Sequence, residues 1–170
     1  MASLMDNLIG VLEEENTQYQ ALIDLGNEKR TAIVGGDVAS LEKITDKEQD
    51  VASLLRNLDI KRDAILKDMA DVLGKNFEEM TITKLIGYLD KQPNEQERLS
   101  EIRTKILATG KEMQDCNLRN EKLLQQALEM VEFDLTLFKS MRQAPETANY
   151  NKQAYNTGDI LPNSGFDAKQ

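Results

Sequence analysis

Ala32-Ile33-Val34-Gly35-Gly36-Asp37-Val38-Ala39-Ser40-Leu41 is the stretch that decides the fold. Ile33 and Val34 close one apolar-periodic segment, and Leu41 and Ile44 open another. Glycine adopts positive φ without a Cβ clash, so a glycine after an apolar helix end is a stop signal. Asp37 follows as an N-cap, its carboxylate placed to accept a backbone N–H of the next helix. A connection this short between two long helices forces an antiparallel hairpin.

Upstream, Leu4, Leu8, Val11, Leu12, Tyr19, Leu22, Leu25, Ala32 and Ile33 recur in steps of three and four from about Ser3 to Ile33. That period is the amphipathic helix signature. Gly10 and Gly26 each weaken this helix by about 1 kcal/mol relative to Ala. Downstream, Leu41, Ile44, Glu48, Val51, Leu55, Leu58, Arg62, Ile65, Met69 and Val72 form an unbroken 3-4 seam that Gly74 ends. It reads as the coiled-coil-like partner of the first helix.

Thr81 caps a short helix carrying Ile82, Leu85, Ile86 and Leu89, and Pro93 forces a break at Gln92. The last helix starts near Asn94 and runs to about Met141, with its stripe at Leu99, Ile102, Ile106, Met113, Leu124, Leu128, Val131, Leu135 and Phe138. From Pro145 the periodicity stops and small polar residues dominate, which predicts a disordered tail. The expected fold is all-α: an antiparallel bundle of three long helices plus one short helix over residues 1–144, then a flexible tail over 145–170.

Composition narrows the function. The 170 residues are 30% charged and 5% aromatic, with no Trp and a net charge of −9. No Lys/Arg cluster offers the basic face that nucleic acid requires. No segment approaches the roughly 18 apolar residues of a membrane span. The first residues lack a basic stretch leading into an apolar run, and one cysteine, Cys116, forms no internal disulfide. A cytoplasmic setting is the expectation. There is no histidine, which removes Ser-His-Asp and Cys-His nucleophile pairs and histidine-containing zinc sites. No phosphate-cradling glycine loop and no calcium loop is present. Catalytic residues, metal ligands and cofactors are therefore all expected to be none, and Cys116 reads as a small buried hydrophobe.

Polar residues inside the seams are the informative exceptions: Glu15, Glu48, Arg62, Asn117 and Asn120. Buried polar groups cost stability unless paired. The hairpin puts Glu15 opposite Arg56, with Arg62 further along but within reach, so either arginine is a suitable partner. All five residues are expected to fix register.

The last helix is also longer than its partners: about 47 residues, or roughly 70 Å, against roughly 54 Å for the second. The excess carries Leu124, Leu128, Val131, Leu135 and Phe138, flanked by Leu123, Ala127, Met130, Phe133, Leu137 and Met141. A helix apolar over more than one stripe needs more than one partner surface. That surface is a groove for another protein's amphipathic helix, or it is covered by the bundle core or by a homodimer. Tyr150, Tyr155 and Phe166 are candidate anchors of a tail that folds on binding.

The run Leu8, Leu12, Glu15, Tyr19, Leu22, then Ile33-Val34-Gly35-Gly36-Asp37, Leu41, Ile44, Lys47-Glu48, Leu58 and Arg62 resembles the first half of the FlgN-type flagellar export chaperones. Asn117-Leu118-Arg119-Asn120-Glu121-Lys122-Leu123-Leu124 is similar to that family's N-x-x-N-x-x-L-L segment, and Tyr155-Asn156-Thr157-Gly158 with Phe166-Asp167-Ala168-Lys169 is similar to its tails. The resemblance implies a cytosolic chaperone that holds hook–filament junction (hook-associated) proteins, blocks their premature assembly and delivers them to the flagellar type III export gate. It also implies client contact toward the C-terminal end, which maps here onto Leu124, Leu128, Val131, Leu135, Phe138, Tyr150 and Tyr155. The alternative is a structural coiled-coil scaffold with a constitutive partner.

Overall fold

The glycine pair acts as its chemistry requires. In the computed structural model, which describes the backbone of residues 2–158 and the side chains of residues 3–142, helix α1 (Ala2–Gly35) ends where Gly36 takes φ +65°. The N–H groups of Gly36 and Asp37 then bond back to the carbonyls of Ile33 and Ala32 at 3.2 and 2.9 Å. Asp37 caps α2 (Val38–Leu73), accepting from the Ser40 N–H at 3.0 Å and the Ser40 hydroxyl at 2.6 Å. These two bonds hold the Asp37 carboxyl below its usual range. Gly74, at φ +62°, closes α2 in the same left-handed way.

A 3-10 turn, Phe77–Glu79, leads to α3 (Ile82–Tyr88), capped by Thr81 as the sequence predicts, and then to α4 (Pro93–Gly158). Among the described residues all regular structure is helical and there is no strand. None of these helices is long and apolar enough to cross a membrane. The end of α4 differs from the sequence reading, which stopped the helix near Met141. The helix passes Pro145 and reaches Gly158. Proline removes one i→i−4 hydrogen bond but does not forbid helix on either side, and Gln143, Ala144, Glu146 and Ala148 include good helix formers. Residues 159–170, the last part of the expected tail, lie outside the described residues.

The chain divides into two units, Met1–Gln125 and Gln126–Gln170. Within the first, Met5, Leu8, Ile9 and Leu12 of α1 meet Leu66, Met69 and Ala70 of α2, Leu85 of α3 with its flanking Met80 and Leu89, and Leu99 and Ile102 of α4. Four helices therefore share one core at this end. That sharing explains two departures from simple stripes. Met5 and Ile9 are buried although they lie beside the α1 seam, because α1 is contacted from more than one side. Val72 is 59% exposed, and Leu66 and Ala70 take the buried positions instead. At the other end a smaller cluster of Leu25, Ala32 and Ile44, with Leu41 and Val51 against it, closes the hairpin.

Candidate interaction surface

Two ion pairs cross the hairpin seam. Arg62 Nη1 donates to both Glu15 carboxylate oxygens, at 2.9 and 3.0 Å, while Nη2 donates to Asp59. Lys29 Nζ donates to Glu48 at 2.8 Å. Glu15 and Lys29 are fourteen residues apart on α1, as are Glu48 and Arg62 on α2, so both pairs mark one antiparallel alignment. The structure thus chooses Arg62 over Arg56. Glu15 is 2% exposed. Burial pushes its carboxyl above the usual carboxylate range, and Arg62 offsets that push only in part. The nearby Tyr19 hydroxyl is raised for the same reason, burial first and then the Glu15 charge.

Asn120 and Asn117 part company. Asn120 is buried and its Nδ2 donates to the Gly26 carbonyl at 2.7 Å, tying α4 to α1. Its Oδ1 is buried without a hydrogen-bond partner among the described residues. Asn117, three residues earlier, is exposed. A three-residue step turns a helix by about 300°, which is enough to carry one of the pair off the contact face.

Gly26 was read from sequence only as a weak point of α1, yet it is what lets α4 approach. A Cβ there would lie 2.6 Å from Cys116 Sγ but in ordinary contact, 3.6 Å, with Asn120 Nδ2. Cys116 is buried, as expected of a small hydrophobe. Gly26→Ala is therefore expected to destabilise the fold by about 1–3 kcal/mol through overpacking. In a Cys116→Ala background the same change should become stabilising by up to about 1 kcal/mol, the helix-propensity gain. A double-mutant cycle by urea denaturation measures the sign change; equal costs in both backgrounds would deny the Sγ contact.

Beyond this crossing α4 changes character. Leu124 is 39% exposed, and in the second unit Leu128, Val131, Leu135 and Phe138 are 53–59% exposed. Met130, Phe133, Leu137 and Met141 are exposed as well. At 100° per residue, Val131 and Phe138 lie within about 20° of each other on the helix of the second unit. Met130, Leu137 and Met141 form an adjoining stripe. Arg142 lies over the Phe138 ring with its guanidinium carbon 5.5 Å from the centroid. Large apolar side chains exposed together in this way make the band a candidate interaction surface. Tyr150 and Tyr155 fall on the α4 backbone, and their side chains lie outside the described residues.

Beside the crossing, within the first unit, Leu22, Lys29 and Ile33 of α1, Glu48 and Ala52 of α2, and Asn117, Asn120, Glu121 and Leu124 of α4 line a groove of about 490 Å³. Sequence reasoning missed Lys29 and Ala52 here. Lys29 had a signal in hindsight, since it lies four turns from Glu15 on the same face; Ala52 had none. Among the described residues no cluster of acidic or sulfur side chains could hold a metal ion.

No curated protein and no solved structure was found to match the chain. A family model described as FlgN protein matches residues 1–157. That span includes the hairpin, the Glu15–Arg62 pair, the Asn120 crossing and the exposed apolar band, and the chain belongs to the FlgN family of flagellar export chaperones.

Proposed function

We propose that this chaperone binds the C-terminal helices of hook–filament junction proteins through Leu124, Leu128, Val131, Leu135 and Phe138. It does so in the cytoplasm, keeps its clients from assembling early and hands them to the flagellar export gate. The observation that carries the reading is the exposure of four large apolar side chains, at i, i+3, i+7 and i+10 spacing, on the helix of the second unit. Amphipathic helices dock on grooves and stripes of this spacing. An acidic chain, at −9, stays soluble while it keeps such a surface uncovered.

Titration of the full chain with the C-terminal segment of a junction protein from the same genome tests this. Saturable binding at micromolar strength or tighter, reversible on dilution, is expected. A constitutive complex with some other protein and no affinity for the junction segment would instead support the scaffold reading. Tyr150 and Tyr155 are proposed as further anchors. Removing the residues after Pro145 is expected to weaken client binding; unchanged affinity would leave those tyrosines without a binding role.

A further inference from the structure

At the end of the first unit that holds Met5 and Leu99, the three long helices enclose a fourth: Leu85 and Leu89, both at most 2% exposed, fill the space among α1, α2 and α4. Toward the hairpin end the same three helices line the groove described above, and α3, only seven residues long, contributes nothing to it. Leu22, Ile33, Ala52 and Leu124 give that groove apolar walls from all three helices. Of its three charges, Lys29 and Glu48 bond to each other at 2.8 Å, and Glu121 is exposed. One wall residue, Asn120, is 5% exposed with a carbonyl oxygen that no described group satisfies.

We infer that this groove seats a fourth amphipathic helix, supplied by the export client, which repeats at the hairpin end the packing that α3 provides at the other. The inference rests on the client-binding reading above and adds to it a second contact, which shares Leu124 with the exposed band. The helix that fits carries leucine-class residues one turn apart, as Leu85 and Leu89 do. The matched Lys29–Glu48 pair asks for no charge on the incoming apolar face, and a helix that leaves the exposed Glu121 in water strands no ion.

The test uses the full chain, the C-terminal segment of a junction protein, and two substitutions at adjacent exposed positions of α2, of which only the first lines the groove. Ala52→Arg is expected to weaken binding at least tenfold, and Ser53→Arg to leave it unchanged, with thermal melting the same in both. Hydrogen exchange on the unmodified chain is the second measurement: the client should protect amides of residues 48–52 and 117–124. If Ala52→Arg binds normally and those amides gain no protection while Leu128→Asp abolishes binding, the groove inference fails and the chaperone reading stands. If the unmodified chain does not bind the segment, both fail. A free chain that dimerises by light scattering, and that Ala52→Arg makes monomeric, would overturn the inference by giving the groove to a second copy.

Discussion

Leu128→Asp and Val131→Asp are each expected to reduce affinity for the junction-protein segment by at least about a hundredfold, with far-UV circular dichroism and melting temperature unchanged. The two halves of that expectation come from one fact. Leu128 is 58% and Val131 53% exposed in the free chain, so a carboxylate at either position stays hydrated and costs the fold little. In the complex the same position is desolvated. The variant loses about 1.5–3 kcal/mol of apolar burial and must also strip water from a charge that has no partner. Since about 1.4 kcal/mol is tenfold in affinity, the sum exceeds a hundredfold. Several anchors of this size are what a micromolar complex, near −8 kcal/mol, requires after ordering costs. Variants that lose helicity along with binding would show that these side chains support the fold, and the proposed surface would be wrong.

How far the sequence could be read depended on whether a feature was local. The hairpin was legible because Gly35-Gly36-Asp37 encodes a stop, a left-handed turn and a cap within three residues, and no distant contact is needed to make them. The short α3 was legible for the same reason, from Thr81 and Pro93. The partner of Glu15 was not. A hairpin fixes which helices face each other but leaves their alignment free by about one to two turns, and Arg56 and Arg62 lie about 1.7 turns apart. Burial of Met5 and Ile9 was hidden because it needs the fourth helix to arrive from elsewhere in the chain. The role of Gly26 was hidden more deeply: its missing Cβ matters only against Cys116, ninety residues away. The exposed band was legible as breadth, since one helix carried more apolar positions than one contact face uses. Which protein covers it was never a property of this chain's periodicity.

Arg62→Met is expected to cost about 3–5 kcal/mol at neutral pH, the largest loss of stability from any single polar change in the hairpin. The straight side chain replaces much of the arginine's packing, so the loss is electrostatic. Glu15, 2% exposed, loses the one group that donates to both its oxygens, and an uncompensated buried charge carries a penalty of this size. The pH dependence separates this cause from packing. Glu15 already holds its proton more tightly in the fold than an unfolded carboxyl does, and removing Arg62 takes away the influence that opposes burial. Between the unfolded value and the folded one, the native state therefore binds the extra proton, so stability from this group falls as pH rises through the window. In Arg62→Met the folded value moves higher and the window widens. The deficit against the unmodified protein should then shrink steadily on acidification, as Glu15 becomes a neutral acid that burial tolerates. Urea denaturation across that range measures it. Glu15→Gln added to Arg62→Met should recover much of the loss at neutral pH by removing the charge itself. A deficit that is independent of pH, and that Glu15→Gln leaves in place, would assign Arg62 a packing role and remove the ion pair as the device that aligns α1 with α2.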